Sequence, residues 1–164
     1  MNLYYTPYAL SLIVPAVVSV ALALYAWQRR TAPGAVTFTL LNLALAEWSL
    51  AYVFEIAGAD LLTKVWWAKI EYVGIAAVPL GWLVFVIQYT GRGKWLTPAR
   101  RALLAVVPLI TLLLALTNES HRLIWTATVL DPNEPFLALE VEHGAWFWVH
   151  FAFSYAALLF GSGL

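Results

Sequence analysis

Cysteine does not occur in the chain. Its absence excludes a disulfide framework, a thiolate zinc site and a cysteine nucleophile. Methionine occurs once, as Met1, which reads as an initiator and so as a true N-terminus. Charge is also scarce: only 11% of the 164 residues are Asp, Glu, Lys or Arg, where a soluble domain carries about 25% to face water on all sides. A globule this poor in charge could not cover itself in solution. The 9 basic and 9 acidic residues cancel, so no basic excess points to a nucleic-acid partner. No serine–histidine–acid arrangement, glycine-rich phosphate loop, phosphoacceptor histidine helix or ATP-binding segment appears in these residues, and no catalytic residue is assigned. His121, His143 and His150 with Glu142 lack the spacing of a metal-ligand motif, so neither a metal nor a cofactor is expected.

What the sequence has instead is hydrocarbon: 63% hydrophobic residues and a mean hydropathy of +0.79. The apolar residues fall into five runs, at about 8–28, 35–57, 64–90, 98–117 and 144–163. Each is near the roughly 20 residues that cross about 30 Å of hydrocarbon at 1.5 Å per residue. The fold class expected is an all-α membrane protein, a polytopic bundle of five transmembrane helices forming one membrane domain over 1–164. The first run is no signal peptide, because nothing positive precedes it and Arg29 and Arg30 follow it. Thr97-Pro98 reads as an N-cap with proline in the first turn of the fourth helix. Between the fourth and fifth runs, 118–143 changes character. Leu123–Leu130 is rich in β-branched residues, Asp131–Pro135 reads as a turn and Phe136–Glu142 partly alternates, a pattern that fits an outer β-hairpin.

Arg29, Arg30, Arg92, Lys94, Arg100 and Arg101 all fall on one side of the alternation. The other side has only Lys64 and Arg122 near span ends. The positive-inside rule therefore places the N-terminus outside and the C-terminus in the cytoplasm, with the lipid bilayer as the constant partner. The 9 tryptophans and 8 tyrosines suit the two membrane boundaries.

Ionisable groups inside a span cost roughly 2.5–3.5 kcal/mol at a helix centre and usually point into the bundle. Here they are Glu47, Lys69, Glu71 and His150, with Glu55, Lys64 and Tyr155 nearby, and spacing puts them in the outer half of the bilayer. Glu47, Ala51 and Glu55 share one helix face, as do Trp67, Glu71, Gly74 and Val78. Two readings fit. One is an outward-facing ligand pocket built from Glu47, Trp67, Lys69, Glu71, His150 and Tyr155. The other is a set of packing ion pairs, for instance Lys69 with Glu55. Asn118-Glu119-Ser120 also matches a glycosylation acceptor triplet.

The run from Trp66-Trp67-Ala68-Lys69-Ile70-Glu71-Tyr72-Val73-Gly74 through Pro79, Trp82 and Phe85 to Tyr89-Thr90-Gly91 resembles the seven-helix membrane sensor region at the N-terminus of bacterial and archaeal histidine kinases. Leu45–Trp48, Thr117–Trp125 and Gly144–His150 with Tyr155 fit the same pattern in order and spacing. The resemblance implies a sensor module in a prokaryotic plasma membrane. It would detect a small-molecule or membrane-borne signal and relay it to cytoplasmic kinase domains of the same chain, working as a homodimer as histidine kinases usually do. It also implies seven spans where five are present, so the chain is expected to be a fragment or a truncated product without kinase activity of its own. A small transporter or ion-coupled carrier, or a structural scaffold, are the alternative functions.

Overall fold

The structure is a computed structural model that describes residues 7–132 and 137–164. Five long helices, α1 (Pro7–Gln28), α2 (Ala35–Ala57), α3 (Leu61–Tyr89), α4 (Pro98–Leu116) and α6 (Ala145–Ser162), are each long and apolar enough to cross a membrane. Between α4 and α6 lie a one-turn helix, α5 (Asn118–His121), and two strands, β1 (Trp125–Asp131) and β2 (Ala138–His143). A 3₁₀ turn, Gly93–Trp95, links α3 to α4. The polytopic bundle and its hairpin are thus as the sequence implies. The tip of the turn expected at 131–135 falls in 133–136, outside the described residues.

The helix ends have local causes. Asp60 caps α3 by accepting from the Thr63 amide and hydroxyl, each at 2.9 Å. The helix therefore starts at Leu61, three residues before the apolar run suggests, because the cap rather than hydropathy fixes the boundary. Thr97 caps α4 through the Arg100 amide with Pro98 in the first turn. Gly34 turns α1 into α2 at φ 79°, and a Cβ there would also lie 3.2 Å from the Phe85 ring. Glycine meets both conditions.

Helix α3 is the hub, packing against α2, α4 and α6, while α1 packs on α2. Polar residues are inside: Thr39, Asn42, Glu55, Lys64, Lys69, Glu71, Thr111 and His150 are all buried. The outward faces are apolar, with Leu62, Leu103 and Leu159 more than 70% exposed. Such a surface is stable where the solvent is hydrocarbon. At one end the hairpin closes over α3 and α4. Ala68, Tyr72, Ala115, Ile124 and Trp125 form a common core there, with Tyr72 and Trp125 edge-on at 5.4 Å. At the other end Leu83, Ile87, Leu96 and Ala157 pack together. Arg29, Arg30 and Arg100 lie over Tyr25, Trp27 and Trp95 at this second end, as cations on amphipathic rings do at a bilayer boundary.

Helices α2 and α3 approach closely at Gly74. A Cβ built on Gly74 would come within 2.6 Å of the Ala44 carbonyl oxygen and of Trp48 Cβ. The two backbones can approach this closely because position 74 has no side chain.

Candidate functional site

Both buried lysines of α3 are bonded to the ends of neighbouring helices. Lys64 donates to the carbonyls of Glu55 (2.8 Å) and Ile56 (3.2 Å) in the last turn of α2, and its ammonium is 3.6 Å from the Glu55 carboxylate. Lys69 donates to the Leu116 carbonyl at the end of α4 (3.1 Å) and to the Glu119 carboxylate. The last turn of a helix has carbonyls without intrahelical partners and the negative end of the helix dipole. A lysine there satisfies both. The Lys69–Glu55 pair considered from the sequence is replaced by two pairs, Lys64–Glu55 and Lys69–Glu119. Because α3 starts at Leu61, Lys64 sits beside the end of α2, and Lys69 turns away from α2 towards α4.

The carboxylates flank the α2–α3 seam. Glu47 reaches Gly74, where a Cβ would lie 2.8 Å from its Oε2. Its two oxygens are buried without a hydrogen-bond partner among the described residues, and so is Trp67 Nε1. Glu47, Trp67, Phe54 and Val20 line one cavity of about 370 Å³, and Phe54 stacks on Trp67 at 4.5 Å. Glu71 opens on another, of about 430 Å³, with Trp48, Ser49, Tyr52 and Leu12. Its Oε1 is likewise buried and unpaired among the described residues. Unsatisfied buried carboxylate oxygens beside a cavity are costly as structure alone, and groups of this kind in a membrane span are functional candidates.

His150 belongs to a different network. Its Nδ1 is 3.2 Å from the Thr111 hydroxyl of α4 and its Nε2 is 3.2 Å from the Ser154 hydroxyl. Trp146 Nε1 also donates to Thr111, at 2.9 Å. Tyr155 lies on an exposed face of α6, 4.4 Å from Phe151. The six residues singled out from the sequence are therefore distributed. Glu47 and Trp67 share one cavity and Glu71 lines a second. Lys69 is bonded to the α4 end, His150 ties α4 to α6, and Tyr155 faces outward. Sequence reasoning passed over Thr111, which like Asn118 is buried. Asn118 heads the glycosylation triplet, but its amide donates to the Trp125 carbonyl and accepts from the Ile124 and Trp125 amides. It organises the loop, and its neighbour Glu119, held by the Lys69 ammonium, has its carboxyl below the ordinary glutamate range.

Neither a curated protein nor a solved structure matches the chain. A family does: residues 11–164 match the family described as the N-terminal 7TM region of histidine kinase. With nearly the whole sequence covered and its five long apolar helices in place, the chain belongs to this family of histidine-kinase membrane regions.

Proposed function

We propose that this chain is the receiving module of a two-component histidine kinase, with the hairpin end outside the cell and the arginine-rich end in the cytoplasm. A signal from outside or from the bilayer binds one bundle arrangement better than another and so shifts the population seen by a cytoplasmic kinase domain. The observation that carries this reading is the position of α3. It spans 29 residues, holds the hairpin through Tyr72 at one end, and joins Ile87 to Leu96 and Ala157 at the other. Its lysines tie it to the ends of α2 and α4. A displacement at the hairpin or in the carboxylate cavities would therefore move α3 as a unit. Glu47, Trp67, Lys69, Glu71, His150 and Tyr155 are the residues proposed to bind or report the signal, with Glu47 and Glu71 foremost because both Glu47 oxygens and Glu71 Oε1 are buried without a hydrogen-bond partner among the described residues.

The test uses the full-length kinase in proteoliposomes. Glu47→Gln and Glu71→Gln are expected to shift basal autophosphorylation by about 5-fold or more, within the usual range of coupling energies. Wild-type rates and wild-type signal response in both variants would remove the carboxylates from the mechanism.

A further inference from the structure

We propose that the open edge of β1 is a binding site for an extended peptide carrying a carboxylate, separate from the membrane-embedded carboxylate cavities. A cavity of about 400 Å³ lies between the start of α3 and the hairpin, bounded by Val65, Asn118, Glu119, Arg122 and the unbroken run Trp125 to Thr128. Successive strand residues point to opposite faces of a sheet. A cavity bounded by four of them in a row therefore lies along the strand's edge, where the peptide groups are. Among the described residues β1 pairs with β2 alone, with a register shift between Trp125 and Ala127, so on its other side peptide groups have no described strand beside them.

That edge is already used once as a strand would use it. Asn118 Nδ2 donates to the Trp125 carbonyl at 2.9 Å, and Asn118 Oδ1 accepts from the Trp125 amide at 3.1 Å. This is the two-bond exchange between facing residues of an antiparallel ladder, made by a side chain. Beyond Trp125 the imitation stops and the cavity continues along Thr126, Ala127 and Thr128. An added peptide strand would continue the ladder, its main chain supplying affinity.

The charge at the site selects the ligand. Glu119 is held by Lys69, whereas Arg122 is exposed and takes part in neither of the two ion pairs formed among the described residues. The uncompensated group on the cavity wall is thus a guanidinium, whose forked donors match a carboxylate. Arg122 also has φ 53° and ψ 32° as the residue that ends α5, a conformation for which glycine or asparagine is the better choice. The fold does not need arginine there, which makes the residue a clean probe.

The experiment measures fluorescence anisotropy of pentapeptides bearing a neutral dye, titrated with the full chain in phosphatidylcholine nanodiscs. The peptides alternate valine and threonine. One ends in a free carboxylate, one is amidated, one is amidated with an aspartate side chain, and one is the free acid N-methylated at alternate positions. Saturable binding is expected for one or both of the carboxylate peptides, and which one identifies a chain end or an acidic side chain as the source. The neutral amide is expected to bind roughly 10-fold weaker or worse, the cost of one charge-assisted pair, and the N-methylated peptide not at all. Arg122→Asn and Arg122→Gly should lose the same factor while thermal unfolding stays at or above wild type. The proposal is overturned by a neutral amide that binds as tightly as the acids, by an N-methylated peptide that binds as well as the free acid, by unchanged affinity in the folded Arg122 variants, or by no saturation at millimolar protein or peptide.

Discussion

Lys64, in the first turn of α3, donates to the backbone carbonyl of Glu55 at 2.8 Å and so closes the end of the preceding helix. The lysine is fully buried, and its charge is balanced by the Glu55 carboxylate at 3.6 Å and by the α2 dipole. Lys69 repeats the arrangement eight ångströms or so further along α3, at 1.5 Å per residue, on the end of α4.

Lys64→Met should therefore be severely destabilising. It leaves the Glu55 carboxylate buried without its cation and two carbonyls without a donor, a loss of about 3–5 kcal/mol. Adding Glu55→Gln should recover part of the loss, because the uncompensated charge is gone. Unfolding in mixed detergent measures both, and a double variant no more stable than the single one would contradict the pairing.

Gly74 and Gly93 make a matched pair of tests. Gly74→Ala forces a methyl to within 2.6 Å of the Ala44 carbonyl and Trp48 Cβ and is expected to cost about 1–3 kcal/mol as the helices separate. Gly93→Ala meets nothing within 4 Å and should stay within about 0.5 kcal/mol of wild type. Equal melting temperatures for the two variants would show that the α2–α3 seam is not this tight.

Two carboxyls outside the spans should titrate low. The Lys69 ammonium beside Glu119 lowers its carboxyl, and the Thr63 amide and hydroxyl lower that of Asp60. A depressed folded-state value means that the stabilisation is present above the unfolded values of about 4.3 and 3.9 and is lost as pH falls through the lower folded ones. These two groups should contribute no pH dependence between about pH 5 and 8. Carbon-13 carboxyl shifts give the midpoints directly, and values at or above the unfolded ones would contradict the two contacts.

The absence of cysteine makes topology directly measurable. Val129→Cys, at an exposed position of β1, should react with a membrane-impermeant maleimide on intact cells. Gly93→Cys, between Arg92 and Lys94, should react only after lysis. The reverse pattern would invert the proposed orientation.

The five spans were legible because crossing hydrocarbon demands only length and apolar composition, and Thr97-Pro98 marked a helix start because a cap is a local device. The hairpin could be read from β-branched residues on either side of a turn. What each buried charge would touch could not be read the same way. Lys64 and Lys69 are five residues apart, roughly 140° around a helix with 3.6 residues per turn, so they face different neighbours. Which neighbours these are depends on how α3 is rotated in the bundle.

By itself, then, the sequence determined the membrane class, the number of spans and the segregation of every arginine but Arg122 to one side of the alternation, because each follows from composition along a single chain. The tertiary structure alone decided that Lys69 serves α4 instead of Glu55, that Glu47 and Glu71 open on separate cavities, and that Asn118 is a buried strand mimic. Those outcomes depend on helix rotation, crossing and the closing of a loop, which bring together residues up to some fifty positions apart and leave no local trace in the order of residues.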